Sequence, residues 1–160
     1  MTRTEFSCLL LLSLFMGLSG AAQGADRHAG YYYAAPDQIE IYTSRARILA
    51  DASASRRLAF VTAITISHNQ RPYPASTVFF AKGENAEKLI IVSLDAGRLN
   101  TIFRVRAYLA SLTAVARTTP LFRNAHVEDI LTFFDLAHML GFKQITVSDG
   151  NRFTHQVLFE

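Results

Sequence analysis

Asn100 to Arg117, NTIFRVRAYLASLTAVAR, is the stretch whose reading decides the fold. Large apolar residues recur at Ile102, Val105, Leu109 and Leu112, and Ala116 continues the row. Steps of three and four residues make one stripe along a single long helix. Tyr108 and Val115 widen it. The other side carries Ala107, Ala110, Ser111 and Ala114, small enough for a second element to approach closely, so the pattern predicts a helix sandwiched inside a domain. Arg104, Arg106 and Arg117 give the helix a basic edge, and Arg98 and Arg123 extend it. No acid occurs between Arg98 and Ala125.

Working outward, the clearest strands are Ser76 to Lys82 and Lys88 to Leu94. They are joined by the loop GENAE and are apolar on both faces, which suits the centre of a sheet. Upstream, Ser53 or Ser55 caps a helix over about 56–69, with Leu58, Val61, Ala63 and Ile64 as its stripe. The β-branched run FVTAITIS also alternates as a strand does. The prolines of QRPYP end that segment. Downstream, Pro120 closes the long helix. HVEDILTFFDLAHML then reads as another helix over about 126–140, acidic in its first turn and stopped by Gly141. KQITVSD and the return strand to Phe159 form a second hairpin around Asp149-Gly150. The expected fold is α+β: an antiparallel sheet of two hairpins, 76–94 and 143–159, with three helices, 56–69, 100–117 and 126–140, mainly on one face.

Half of the 160 residues are apolar and 18% are charged, the composition of a globular domain with a core. The first segment stands apart from it. Arg3 precedes the run Leu9 to Leu18, LLLLSLFMGL, which is followed by SGAAQGAD. A short basic start, an apolar stretch and small residues at the end describe a secretory signal peptide over 1–24. Ala22-Gln23-Gly24 is the preferred cleavage site and Gly20-Ala21-Ala22 the alternative. A retained anchor is the competing reading, but the run is shorter than the roughly 20 residues a bilayer span requires. Cleavage removes Cys8, the only cysteine, and with it any disulfide or thiol chemistry. The mature protein is expected to be periplasmic or secreted, without a stable membrane span. Its net charge stays at +3, too small and too scattered to imply a nucleic-acid partner. Residues 25–55 read as an extended arm and loop, with 56–160 as a single domain. Within the arm, QIEIYT alternates as a short edge strand, and Tyr31, Tyr32 and Tyr33 form either an aromatic binding strip or an anchor to the body.

Candidate chemistry rests on few residues. Asp135 and His138 lie three apart on one helix and are therefore neighbours, and a carboxylate beside an imidazole orients an acid–base histidine. The competing reading is a histidine at the border of the core. His155 shares the inward face of the last strand with Phe153 and Val157, as a core histidine would. Arg104, with Arg106 and Arg117, suits an anionic ligand. Pairing of Arg106 and Arg117 with Glu128 or Asp135 is the more economical expectation. No HExxH, P-loop, GxGxxG or GxSxG occurs, so no metal and no cofactor is expected.

The segments YYYAAPDQIEIYTSRAR, AKGENAEKLIIVSL and FFDLAHMLGFKQITVSDG resemble a family of small exported bacterial proteins without an established activity. Some members carry a label of molybdopterin-guanine dinucleotide biosynthesis. The resemblance spans most of the mature chain and implies a secreted single domain, with no site residues attached. The glycine-rich, arginine-containing nucleotide loop of such transferases has no counterpart in this chain. The expected function is that of a non-catalytic accessory or interaction domain with an envelope protein as partner. The alternative is a small periplasmic hydrolase, or another acid–base enzyme, using Asp135, His138 or His155.

Overall fold

The computed structural model describes residues 35–70, 76–95 and 97–160. The leader over 1–24, Tyr31, Tyr32 and Tyr33, and most of the QRPYP connector lie outside the described residues. Five strands form one sheet: β1 (Gln38–Tyr42), β2 (Thr77–Lys82), β3 (Lys88–Ser93), β4 (Gln144–Ser148) and β5 (Thr154–Phe159). Their order is β1-β5-β4-β3-β2. The helices are α1 (Ala54–Asn69), α2 (Ile102–Arg117), α3 (Pro120–Ala125) and α4 (Phe133–Met139).

The fold is α+β, but the sheet is mixed where an antiparallel one was expected. β2–β3 and β4–β5 are the two antiparallel hairpins, whereas β3 pairs with β4 and β1 with β5 in parallel. The helical connections are the cause. Residues 94–143 lead from the end of β3 back to the start of β4, and a crossover of that kind delivers a neighbouring strand in the same direction. Gln38–Tyr42, read above within the arm, is β1, the edge strand of this sheet. The opposite edge is β2, which the sequence placed at the centre. Phe79 of β2 is buried, while Phe80 is 43% exposed.

The register places Phe79, Leu89, Ile91, Ile145, Val147 and Val157 on one face. They share a core with Val61 and Ile64 of α1, with Val105, Leu109, Leu112 and Ala116 of α2, and with Phe122 and Leu136. The helices therefore cover that face. The other face is more polar at its centre: Thr146 accepts from the Gln144 and Gln156 side-chain amides.

The helix boundaries follow their caps. Thr101 caps α2 by accepting from the Arg104 backbone N–H. Ser53 does the same for α1 through the Arg56 N–H, which settles FVTAITIS as helix. The expected helix over 126–140 shortens to α4, with 126–132 as a turn, and a separate helix that was not expected, α3, lies just before it. Pro120 opens α3 at its first position rather than merely closing α2. His126, at φ 54°, ends α3 in the left-handed region. α4 begins only at Phe133, because Thr132 and Asp135 form a reciprocal capping box. Thr132-Phe133-Phe134-Asp135 is a start signal inside an apolar run, and local hydrogen bonding wins there over periodicity. Gly141, at φ 81°, stops α4 as its sequence position implied.

One residue ties α1 to the rest. Arg57 is buried and donates to the Leu140 carbonyl at 3.1 Å and to the Asn85 carbonyl at 2.7 Å. It thereby satisfies a buried carbonyl at the end of α4, one of the helix-end groups without an intrahelical partner, and fastens it to the β2–β3 loop. α2 differs from its sandwiched expectation. Its large stripe is buried, but Phe103, Ala107, Ala110, Ser111 and Ala114 face outward.

Candidate functional site

The residues singled out from the sequence fall into three separate places. Asp135 stands at the start of α4, fully buried. Its Oδ1 accepts from the Ser44 hydroxyl and the Arg45 backbone N–H, both at 3.0 Å. Its Oδ2 accepts from the Thr132 backbone N–H at 2.8 Å, the Thr132 hydroxyl at 2.9 Å and the Tyr42 hydroxyl at 3.1 Å. Burial pushes this carboxyl up, but the hydrogen bonds from Thr132, Arg45 and Ser44 outweigh it and hold the pKa below the ordinary value. The carboxylate is thus the knot that joins β1 and its following loop to α4. It makes none of the expected pairs with Arg106 or Arg117.

His138 lies one turn further along α4. Its Nδ1 donates to the Ala46 carbonyl at 3.0 Å, and its ring rests 5.9 Å from that of Phe159. Asp135 and His138 are therefore not an oriented acid–base pair. Each fastens α4 to the 42–46 segment, and α4 is held there by stacking of Tyr42 on Phe134, with ring centroids 4.8 Å apart.

His155 is the more unusual group. It is 0% exposed, and neither ring nitrogen has a hydrogen-bond partner. Its Nε2 is 3.5 Å from Glu40 Oε2, at the limit of hydrogen-bonding distance and without the alignment of a bond. Glu40 on β1 is paired with Arg106, which reaches down from α2. Burial lowers the His155 pKa. Glu40 opposes that shift and Arg106 adds to it, so the imidazole is held below its usual range and is neutral near pH 7. Sequence reasoning missed Glu40. The signal was present in Ile39-Glu40-Ile41, whose alternation turns Glu40 toward the helices and the isoleucines away from them.

Arg104 is spent locally, donating to the Gly97 carbonyl and to Asn100 Oδ1 in the turn that leads into α2. Beside it lies an open, shallow hollow of about 450 Å³, bordered by Arg98, Leu99, Ala107, Tyr108 and Ser111. Among the described residues, no group of three or more His, Cys, Asp or Glu side chains gathers as a metal site would.

A second hollow has a different character. Between α1 and α2 runs a cleft of about 290 Å³, walled by Phe60, Ala63, Ile64 and Ser67 on one side and by Leu112, Val115 and Ala116 on the other. Phe133 and Leu136 of α4 also line it, as do Thr118, Thr119 and Pro120 at the α2–α3 junction. It arises because α1 packs on β2 while α2 packs on α4 and α3. Neither Asp135 nor any histidine lines this cleft or the hollow beside Arg104. Its walls are chiefly carbon, so it can bury apolar groups but offers no acid, base or nucleophile beyond three hydroxyls.

Compared with family models, with curated proteins and with solved structures, the chain shows no match.

Proposed function

We propose that the chain is an exported, non-catalytic interaction domain that acts on a partner in the cell envelope. The leader pattern over 1–24 supports export. One observation supports the non-catalytic reading: the acid–base candidates Asp135, His138 and His155 are engaged in or sealed by the fold, while the more enclosed of the two hollows described is apolar. Asp135 is saturated by five hydrogen bonds, His138 is bonded to Ala46, and His155 is sealed from solvent. A catalytic base must reach the proton it takes, and neither hollow brings a substrate to these side chains.

Mass spectrometry of the chain recovered from the envelope fraction tests export, with loss of the residues up to Gly24 as the expected result. A full-length mass confined to the cytoplasm would sink it. Photocrosslinking in cells, followed by identification of a reproducible envelope adduct, tests the interaction. The hydrolase alternative draws its remaining support from Glu40, His155 and Arg106, which stand together as an acid–base set would. Esterase, amidase and phosphatase substrates turned over by wild type but not by His155→Gln would favour that alternative.

A further inference from the structure

We propose that the outer edge of β1 is a dimerisation surface, on which a second copy of this chain adds its own β1 antiparallel and continues the sheet across a two-fold axis at Glu40. The proposal goes beyond the interaction-domain reading and does not depend on it. Backbone geometry is the first support. β1 is an edge strand, paired on one side only, with β5. The Tyr42 carbonyl accepts from the Glu160 N–H, and the Ser44 N–H donates to the Glu160 carbonyl, so the even-numbered residues turn their backbone groups toward β5. Residues of a parallel ladder alternate in this respect, which leaves the N–H and C=O of Ile39 and Ile41 pointing out of the sheet. Their side chains are open as well, at 58% and 63% exposure.

The second support is what this edge lacks. Exposed edges are ordinarily blunted by lysine, proline, a bulge, a covering element or an inward-pointing charge. Gln38–Tyr42 contains no lysine and no proline, and its register against β5 runs unbroken over all its residues. The opposite edge differs, because β2 ends in Lys82 and has α1 packed against it. The blunting device that β1 does carry is Glu40, on the helix side, and Arg106 of α2 cancels its charge by pairing with it.

The third is self-complementarity, and it names the occupant. Ile39-Glu40-Ile41 reads the same in both directions. Antiparallel pairing about Glu40 sets Ile39 opposite Ile41 of the second copy, and Ile41 opposite its Ile39, with the outward N–H and C=O groups exchanged across each pair. Four isoleucines then gather on the face away from the helices. On the helix side the two Glu40 side chains meet, and alone they would repel. Each arrives with its own Arg106, whose side chain is 60% exposed, so the four charges cancel and each guanidinium has donors left for the other copy's carboxylate. Phe103, 79% exposed and one turn before Arg106 on the same side of α2, adds apolar surface near that pair. A contact built on one short strand from each copy lies at the small end of interface sizes, so the dimer is weak and concentration-dependent.

Analytical ultracentrifugation of the purified chain over a wide concentration range tests this. The weight-average mass should rise from that of one chain toward that of two. Ile39→Lys and Ile41→Lys, both at exposed side chains, should each hold the chain monomeric throughout without changing its circular dichroism. Arg106→Gln leaves two unneutralised carboxylates facing each other and should weaken the dimer about tenfold or more. Glu40→Gln added to that variant removes the repulsion and should restore the dimer. A chain that stays monomeric at every concentration, its edge closed by the residues before β1 or by a strand of another protein, would overturn the proposal. So would a dimer that survives both lysine variants, which would place the contact elsewhere, or one indifferent to Arg106→Gln.

Discussion

The backbone N–H of Arg45 donates to Asp135 Oδ1 at 3.0 Å, so a residue just after the first strand is bonded to the carboxylate that also starts α4. Segments far apart in sequence share one acceptor. Asp135→Asn keeps the shape but turns one acceptor oxygen into a donor facing Thr132 or Ser44. The cap and at least two charge-assisted bonds are lost, so a destabilisation of about 2–4 kcal/mol is expected. Urea melts of the two proteins measure it. A loss below about 0.5 kcal/mol would mean that the knot is not structural.

The same carboxylate sets an acid limit. Its folded pKa is depressed, so its contribution is complete above the ordinary Asp value of about 4 and is lost as pH falls through the folded value. Stability of wild type should decline below about pH 4, and Asp135→Asn should decline less steeply over that interval. Parallel pH profiles of the two proteins would contradict this.

His155 acts at a higher pH. Its folded pKa is lowered, so on acidification the unfolded chain takes up the proton first, and stability falls as pH drops below about 6.5 until the folded value is reached. NMR titration of the ring should place its midpoint below that of an exposed histidine. Glu40→Gln removes the group that raises the His155 pKa and leaves Arg106, which lowers it, so the midpoint should move further down. An upward move would show that Glu40 does not face the ring.

Leu109 and Arg104, on one helix, should behave oppositely. Leu109 is buried in the core, and Leu109→Asp places an unpaired charge there, which should abolish the cooperative melt. Arg104→Ala removes surface hydrogen bonds to Gly97 and Asn100 and should cost at most about 1 kcal/mol. Circular dichroism of both variants distinguishes a spine from a surface.

Gly141→Ala combines two penalties. The residue lies at φ 81°, and a Cβ built there falls 2.6 Å from Arg57 Nη1. Left-handed strain and displacement of the guanidinium from the Leu140 carbonyl together should cost about 2 kcal/mol or more. A neutral substitution would show that Arg57 has room to move.

The elements written in local chemistry were legible. Gly141 as a stop, the two hairpins and the stripe of Val105, Leu109 and Leu112 all appear where periodicity and turn residues put them. The sense of strand pairing was not, because nothing in β3 or β4 states what lies beside it; only the helical length between them hints at a parallel neighbour. The late start of the helix expected over 126–140 was hidden for a similar reason. Val127, Ile130 and Leu131 keep a helical rhythm while His126 and Thr132 break it through the backbone. Of the candidate site residues, Asp135 and His138 were seen as a pair because they are close in sequence, yet Asp135 bonds to Thr132 and to groups some 90 residues away, and His138 to Ala46. Glu40 was overlooked because its partners, Arg106 and His155, come from two other elements.

The parallel pairing of β1 with β5 also has a consequence in time. Gln38 stands opposite His155 and Tyr42 opposite Phe159, so the first strand made is completed only by the last one. Until the β5 segment has been made, the edge of the sheet, the Glu40 contact with His155, and the hydrogen bonds joining Tyr42 and Ser44 to Glu160 cannot form. Of the described strands, β1 therefore waits for β5 before its edge is paired, and a contact between segments so far apart in sequence is among the slow ones to form.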